Sequence, residues 1–310
     1  MTLNAISQLQ VSRVFTSCKE LSALIGRCGY VVDAFQITSG PLFGRFEVVQ
    51  VGPVFHLSIF ATQGILLYGQ PNPAFMNCCI EEGNVDPGTT HCHLVQLPDR
   101  HRISGFNSEK TEVFFATSPG SFIRHMCIPK ALMLRMIEDL YGIRPLFTLA
   151  SSHSLPIPPK LHSQLLLSMR NARESNDEVA QMVLITDLVS ALCDPKQVHV
   201  ANPEAAPLVK DFVRMATEHG GPKPVSVVDL AAQLHTSKTT LSEHLKRLTG
   251  MSPSACLKMA LLEQARTALR DVTDHRTVNQ IGKAYGLGDR FSAKYKKHFG
   301  ESPSQTLKIA

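Results

Sequence analysis

Two sets of polar and basic side chains near the C-terminus have the chemistry needed to recognise a nucleic acid. The first set is Lys238, Thr239, Ser242, Glu243 and Lys246, and the second is Arg290, Ser292, Lys294 and Lys297. Lys suits phosphates, Arg suits guanine, Ser and Thr suit several bases, and a carboxylate accepts from the amino group of cytosine. Each residue alone could equally be a solvated surface side chain, so the elements that present them decide between these interpretations.

The first set lies among apolar residues at helical spacing. Ser226 and Ser237 are predicted to cap two short helices, and Leu241 and Leu245 form the buried stripe of the second. Two short helices joined by a tight turn form a helix-turn-helix, whose second helix enters the major groove of DNA. The sequence therefore predicts one such unit over residues 226–250.

The same pattern returns 50 residues later along the chain. Phe291, Tyr295 and Phe299 form a second buried stripe, and Gly300-Glu301-Ser302-Pro303 repeats Gly250-Met251-Ser252-Pro253. A second helix-turn-helix is therefore predicted over residues 277–300. The duplication is a more specific signal than either unit alone, because many small helical folds imitate a single unit.

Residues 205–310 resemble the DNA-binding domain of the AraC/XylS family of transcription regulators. The resemblance rests on Leu241-Ser242, Lys246-Arg247, Gly250-Met251-Ser252-Pro253, Ala265-Arg266-Thr267-Ala268-Leu269, Tyr285-Gly286 and Phe299-Gly300-Glu301-Ser302-Pro303. Arg290-Phe291-Ser292-Ala293 is most similar to the subset that includes the ethanolamine operon regulator. The resemblance implies that Thr239, Ser242 and Glu243 contact base edges. It also implies that promoter or operator DNA and RNA polymerase are partners, and that a small-molecule effector controls DNA binding allosterically.

Charge is distributed unevenly along the chain. Residues 205–310 carry 16 Lys and Arg against 9 Asp and Glu, a net charge of +7, whereas residues 1–204 carry 15 against 17, a net charge of −2. A basic excess confined to the repeated unit is the expected signature of a phosphate-binding domain joined to a near-neutral partner domain. A basic surface that merely aids solubility is the alternative.

The rest of the chain predicts an α+β protein with three parts. Residues 1–29 are interpreted as helical or mixed, and short alternating or apolar runs separated by turns predict six to eight strands between Val31 and Pro119. Such strands favour an antiparallel β-barrel or jelly roll, and the resemblance makes residues 1–150 an effector-sensing domain. Residues 151–204 are predicted to form a helical linker, and residues 205–310 an all-α double helix-turn-helix domain.

Two helices, at about 160–172 and 177–193, are predicted within the linker after the proline-rich segment Leu155–Pro159. Their apolar stripes contain Leu161, Leu165 and Met169 in the first helix and Val179, Val183, Leu184, Leu188 and Leu192 in the second. These stripes must be buried, either in a homodimer interface or against the barrel of the same chain. The sequence leaves both interpretations open.

Four arginines are the best candidates for binding an anionic effector such as a nucleotide. Arg100 and Arg102 lie two residues apart on an extended segment, so their guanidinium groups share a side, and Arg45 and Arg124 are possible further members. An exposed turn without a ligand is the simpler interpretation of the same residues. A regulator controlled by a protein partner is a further alternative.

An enzyme is the competing class of function. His91 and His93 on one strand face would suit a metal in a cupin-like site, but the Glu that such sites add is missing. There is no glycine-rich phosphate loop and no G-x-S-x-G motif, so no catalytic residue, metal or cofactor is expected.

The sequence also bears on the location of the protein. No secretory signal and no run of about 18 apolar residues is visible. The eight cysteines contain no C-x-x-C pair and are interpreted as reduced thiols. A cytoplasmic protein without a membrane segment is expected.

Overall fold

The computed structural model describes residues 10–83, 91–92, 95–96, 100–106, 112–194, 200–201, 206–218 and 225–309. The strands are β1 (Gln10–Phe15), β2 (Val31–Gln36), β3 (Gly44–Val51), β4 (Val54–Ala61), β5 (Ile65–Gln70), β6 (Phe75–Glu82), β7 (His91–Cys92), β8 (Val95–Gln96), β9 (Arg102–Ser104), β10 (Val113–Ala116), β11 (Phe122–Pro129), β12 (Ser152–Pro156) and β13 (Val200–Ala201). The helices are α1 (Cys18–Gly26), α2 (Lys130–Tyr141), α3 (Arg144–Ser151), α4 (Pro159–Ser175), α5 (Glu178–Cys193), α6 (Ala206–Glu218), α7 (Val227–Gln233), α8 (Lys238–Thr249), α9 (Pro253–Arg270), α10 (Val278–Ala284), α11 (Phe291–Phe299) and α12 (Pro303–Ile309).

The strands form two antiparallel sheets. One has the order β1-β3-β4-β11-β6-β9-β12-β13, and the other has the order β2-β5-β10-β7-β8. Phe46 and Leu57 of the first sheet share a buried cluster with Val32 and Ile65 of the second, so the two sheets pack across a common core. The prediction of a sheet-rich N-terminal part and a helical C-terminal part is confirmed. The predicted barrel, however, is not closed, because in the described residues the outer strands of each sheet pair on one side only.

Several elements were not predicted from the sequence, among them β1, α3 and β11. Strand β1 occupies part of the segment interpreted as helical or mixed, α3 follows α2 directly, and β11 lies beyond the predicted last strand at Pro119. Strand β11 is nevertheless central, because it pairs with β4 on one side and with β6 on the other. The turn residues Ser118-Pro119-Gly120 interrupt the alternating strand pattern in the sequence, but a paired strand begins again at Phe122.

The segment between the sheets and the C-terminal helices packs largely on its own chain. Part of the expected proline-rich linker forms β12, which pairs with β9. Most of the predicted stripes of α4 and α5 enter a core with the sheet, namely Leu165, Met169, Leu184, Leu188 and Leu192. Val179 and Val183 are 71% and 56% exposed, so they are available for another surface.

Helices α7 and α8 follow the predicted capping pattern. The Ser226 hydroxyl accepts from the amide of Asp229 at the start of α7, and the Ser237 hydroxyl accepts from that of Thr240 in α8. Gly250 ends α8 with a φ of 70°, a conformation that favours glycine.

One apolar core joins the second sheet to the C-terminal helices. Phe35 of β2 and Phe114 of β10 belong to the same buried cluster as Phe212 of α6 and Leu261 of α9. Tyr68 on β5 packs against the cluster, and its hydroxyl lies 2.8 Å from the Thr217 hydroxyl at the end of α6. The sheet and the helices on the two sides of the predicted domain boundary therefore share a core, whereas residue 205 itself lies outside the described residues and the boundary stays a prediction.

Two further properties concern the whole described part of the chain. No helix in these residues combines the length and apolar character needed to cross a bilayer.

The seven cysteines whose side chains are described are free thiols, and most are buried. Burial raises the pKa of Cys78, Cys127 and Cys256 to about 12, which keeps these thiols protonated.

Candidate nucleic-acid interface

The first candidate recognition helix, α8, has a buried side and a polar side. Leu241 and Leu245 are completely buried against the neighbouring helices. The predicted contact residues Lys238, Thr239, Glu243 and Lys246 are exposed, and Ser242 is half-buried. The exposed residues of the predicted set therefore lie away from the buried stripe, as insertion into a major groove requires.

The second candidate recognition helix, α11, is anchored by aromatic rings. The ring centroids of Phe291 and Tyr295 are 5.6 Å apart, and those of Tyr295 and Phe299 are 4.5 Å apart. Arg290, Ser292 and Lys297 are exposed, as predicted for groove-facing residues. Lys294 is different, since its ammonium group donates to the carbonyl of Leu287 at 2.8 Å and so ties α11 to the preceding turn.

The turn between α10 and α11 is built by glycines. Gly286 and Gly288 have φ angles of 64° and 66°. A Cβ atom on Gly282 would lie 2.7 Å from Cδ1 of Phe291, so a larger residue there would push the two helices apart. Close packing of this helix pair therefore depends on the absence of a side chain at residue 282.

Two supporting features of the second unit escaped sequence analysis. Thr277 caps α10 and forms a capping box with Gln280. The sequence signal for this box is a threonine followed three residues later by a glutamine. Arg276 is held by Asp274 at 2.6 Å, and this contact raises the pKa of the guanidinium.

The N-terminal part of the chain touches both helix-turn-helix units. Helix α8 approaches β8. At the other unit the amide of Gly40 donates to the carbonyl of His298 at 3.1 Å, and Gly300 lies against Pro41. The guanidinium of Arg266 donates to the carbonyl of Thr16 at 3.2 Å. The position of the two units therefore depends on contacts with the first 120 residues of the chain.

A buried histidine lies at this boundary. Burial, together with the nearby charges of Arg266 and Lys258, lowers the pKa of His298 to about 4. Neither ring nitrogen has a hydrogen-bond partner among the described residues. His298 is therefore neutral at pH 7 and lies on the buried side of α11.

The four arginines predicted to bind an anion make contacts within the protein. Arg45 approaches Glu47, Arg124 contacts Glu82 and Ser58, Arg102 contacts Ser154, and Arg100 contacts the carbonyl of Gly83. Arg45 and Arg124 lie on a sheet surface where Arg173 and Arg170 of α4 also bind Glu47 and Glu82. These contacts attach α4 to the sheet.

The candidate metal ligands lie largely outside the described residues. His93 is not described, and neither is the side chain of His91. Within the described part of the chain, no group of three or more His, Cys, Asp or Glu side chains is arranged to hold a metal ion.

An apolar cavity of about 70 Å³ lies between the two sheets. Its polar groups include Tyr30 and Asn77, which are joined by a 2.6 Å hydrogen bond, and His125 packs edge-on against Tyr30. Ligand pockets usually measure about 300–1,000 Å³. This cavity is too small, as it stands, for most effectors.

Comparison with known proteins places the C-terminal helices in a family. Residues 230–309 match the family described as "Helix-turn-helix domain". Among solved structures, a probable AraC family transcriptional regulator from Rhodopseudomonas palustris is 27% identical, with 33% of this chain and 96% of that chain covered and a TM-score of 0.31.

Two structures are similar over most of the chain. The AraC-like transcriptional activator CuxR is 11% identical, with coverage of 90% and 100% and a TM-score of 0.40. ToxT from Vibrio cholerae, bound to a naphthalenyl butenoic acid, is 10% identical, with coverage of 98% and 99% and a TM-score of 0.31. The domain match is the informative finding, and it agrees with the two capped units described above. Residues 230–309 therefore belong to a helix-turn-helix domain.

Proposed function

We propose that this protein is a transcription regulator of the AraC/XylS family that binds double-stranded DNA through α8 and α11. The observation that carries the proposal is the pair of capped helix-turn-helix units, each with an apolar stripe buried and polar residues exposed. The net charge of +7 over residues 205–310 supplies attraction to phosphates. Within the family, Arg290-Phe291-Ser292-Ala293 supports the subset that includes the ethanolamine operon regulator.

The proposed roles divide the exposed residues into two groups. Thr239, Ser242, Glu243, Arg290 and Ser292 read base edges, whereas Lys238, Lys246, Lys294 and Lys297 contact phosphates. Lys294 would keep its contact with Leu287 while its remaining donors face the backbone of DNA. Base contacts discriminate between sequences, and phosphate contacts do not.

The test compares specific with random DNA. Genome-wide mapping of bound DNA would provide the specific site, and fluorescence anisotropy would measure affinity. Thr239→Ala, Ser242→Ala and Arg290→Ala are each expected to cost about 1–3 kcal/mol on the specific site and much less on random DNA. Thr186→Ala, on the exposed surface of α5, is the matched control. Equal losses on both DNAs would show that these residues do not read bases.

The N-terminal part is proposed to sense an effector and to pass its binding on to the DNA-binding units. The contacts of Gly40 with the second unit, of Thr16 with α9 and of β8 with α8 support such coupling. An effector that binds the two arrangements unequally would shift DNA affinity. The anionic site at Arg100 and Arg102 stays a prediction, and the double Ala variant tests it by loss of effector response with DNA binding retained.

A homodimer is part of the same proposal. Leu167 on α4 and Val179, Met182 and Val183 on α5 are exposed apolar residues outside the core, and they suit a contact between two copies of the chain. Val183→Asp is expected to yield a monomer in sedimentation equilibrium, with Asp187→Asn as the control. A cytoplasmic location and contact with RNA polymerase complete the proposal.

A further inference from the structure

A second and larger cavity lies where the sheet meets the C-terminal helices. This interdomain cleft is bounded by α1, β2, β5, the end of α6, α9, the residues that follow α9, and Tyr285 just after α10, and it has a volume of about 510 Å³. That volume falls within the range of small-molecule sites, unlike that of the cavity between the sheets. Because both parts of the chain line it, an occupant would contact both.

The interdomain cleft is acidic. Its walls carry the carboxylates of Asp33, Glu218, Glu263, Asp271 and Asp274 against two cations, Lys19 and Arg276. Arg276 is already bound to Asp274 at 2.6 Å. Among the cations that line the cleft, only Lys19 is then left for the other four carboxylates, although residues 205–310 as a whole are strongly basic. A local charge opposite to that of the surrounding domain favours a cationic occupant.

Two buried acceptors in the cleft wall have no donor. Oε1 of Glu263 and Oε1 of Gln264 are buried and lack hydrogen-bond partners among the described residues. The amide nitrogen of Gln264 is used, since it donates to the carbonyls of Ala216 and Thr217 at 3.0 and 2.9 Å. When Glu263 is ionised, both unmatched atoms are acceptors, so the group that completes them is a donor. An unmatched buried acceptor costs about 1–3 kcal/mol, which an N–H donor from a ligand would recover.

The arginines nearest to Glu263 on α9 are engaged elsewhere. Arg266 contacts Glu301 at 3.2 Å and the carbonyl of Thr16, and Arg270 approaches Glu20 at 3.6 Å. These arginines reduce the electrostatic cost of the Glu263 charge but do not bond to it. The carboxyl group therefore lacks a hydrogen-bonded counter-ion in the described residues.

We propose that the interdomain cleft binds a small organic amine in its protonated form. The cleft places three kinds of group around one cavity: the unpartnered acceptors of Glu263 and Gln264, further carboxylates, and the rings of Tyr68 and Tyr285. Aromatic rings attract organic cations through their faces, which distinguishes this site from one for a hydrated metal ion. The ammonium donates to Glu263 and Gln264, and its hydrocarbon part lies against the tyrosines.

The amine joins the two parts of the chain. Asp33 and Tyr68 belong to the sheet, whereas Glu263 and Gln264 belong to the helix that connects the two helix-turn-helix units. Filling the interdomain cleft therefore stabilises this arrangement of sheet and helices. An effect of the amine on DNA affinity rests on the proposed function, whereas binding in the cleft does not.

Isothermal titration calorimetry of the full-length protein tests the site. The probe is 1,4-diaminobutane, with 1,4-butanediol as the uncharged analogue and magnesium chloride as the inorganic cation. We expect one diamine per chain, and no measurable binding of the diol or the magnesium ion at the same concentrations. Glu263→Gln and Asp33→Asn should each weaken diamine binding at least tenfold. Glu138→Gln, on the exposed face of α2, should bind like the wild type.

Two results would overturn the assignment. One is equal diamine affinity in the wild type, Glu263→Gln and Asp33→Asn proteins, and the other is binding of the diol or magnesium ion as tight as that of the diamine. The DNA experiment is separate. A protein that binds the diamine as expected but shows no affinity for any DNA would refute the proposed function while leaving the cleft assignment standing.

Discussion

Replacing Glu263 by Gln should change how the stability of the protein depends on pH. Burial raises the pKa of Glu263 from 4.5 to about 7, with Arg266 and Arg270 opposing the rise. The folded protein therefore holds this proton more tightly than the unfolded chain, so stability falls as pH increases from about 4.5 to 7. One pKa unit corresponds to about 1.4 kcal/mol, which makes the loss about 3 kcal/mol by pH 8.

In the wild-type protein, the loss of stability caused by Glu263 should be offset by an opposite pH dependence. His298 has its pKa lowered to about 4 by burial, so it binds protons less well in the folded state, and its contribution rises with pH over an overlapping window. The contributions of Glu263 and His298 to the pH dependence of stability have opposite signs. Both the wild type and Glu263→Gln contain His298, so its contribution cancels in the difference between the two proteins. Any cost of burying the Gln amide does not vary with pH and also cancels.

Urea unfolding followed by circular dichroism at pH 4.5 and pH 8 provides the measurement. Between these values, the free energy of unfolding of Glu263→Gln relative to wild type should increase by about 3 kcal/mol. Glu138→Gln is exposed and should give no such increase. A change below about 1 kcal/mol would refute the reasoning, because the carboxyl group would then be solvated rather than buried.

Two further substitutions test the second helix-turn-helix unit. Gly282→Ala should destabilise the protein by about 1–3 kcal/mol, because the added Cβ atom would clash with Phe291. The measurement is thermal denaturation, and the control is Gly26→Ala, where the added Cβ atom meets no other atom. Thr277→Ala should cost about 1 kcal/mol through loss of the cap on α10. A melting temperature unchanged from wild type would contradict the cap, and Thr186→Ala is its control.

The helix-turn-helix units could be predicted because their determinants are local. Ser237 and the stripe of Leu241 and Leu245 lie within nine residues of one another, and a cap together with a period defines a helix. The exposed positions of the candidate DNA contacts then follow from the buried ones. The cap at Thr277 was missed, although the same rule applied to Thr277 and Gln280 would have found it.

The parts that could not be predicted depend on contacts between distant residues. Strand β11 was missed because its partners β4 and β6 lie far away in sequence, and the open sheet order is set by such pairing. The residues next to Glu263 in the sequence do not indicate that its side chain is buried. Its burial depends on α1 and the sheet, which are more than 190 residues earlier in the chain.

The core shared by the sheet and the helices has a consequence for biosynthesis. The apolar face formed by Phe35 and Phe114 is complete once β10 has been made, but its cover includes α9, which ends at Arg270. A ribosome needs about 8–30 s for these roughly 150 residues at about 5–20 residues per second. During that interval the sheet exposes an uncovered apolar face, so a nascent chain arrested there is open to aggregation and to capture by chaperones. Translation pauses between β10 and α9 would lengthen this interval and lower the yield of folded protein.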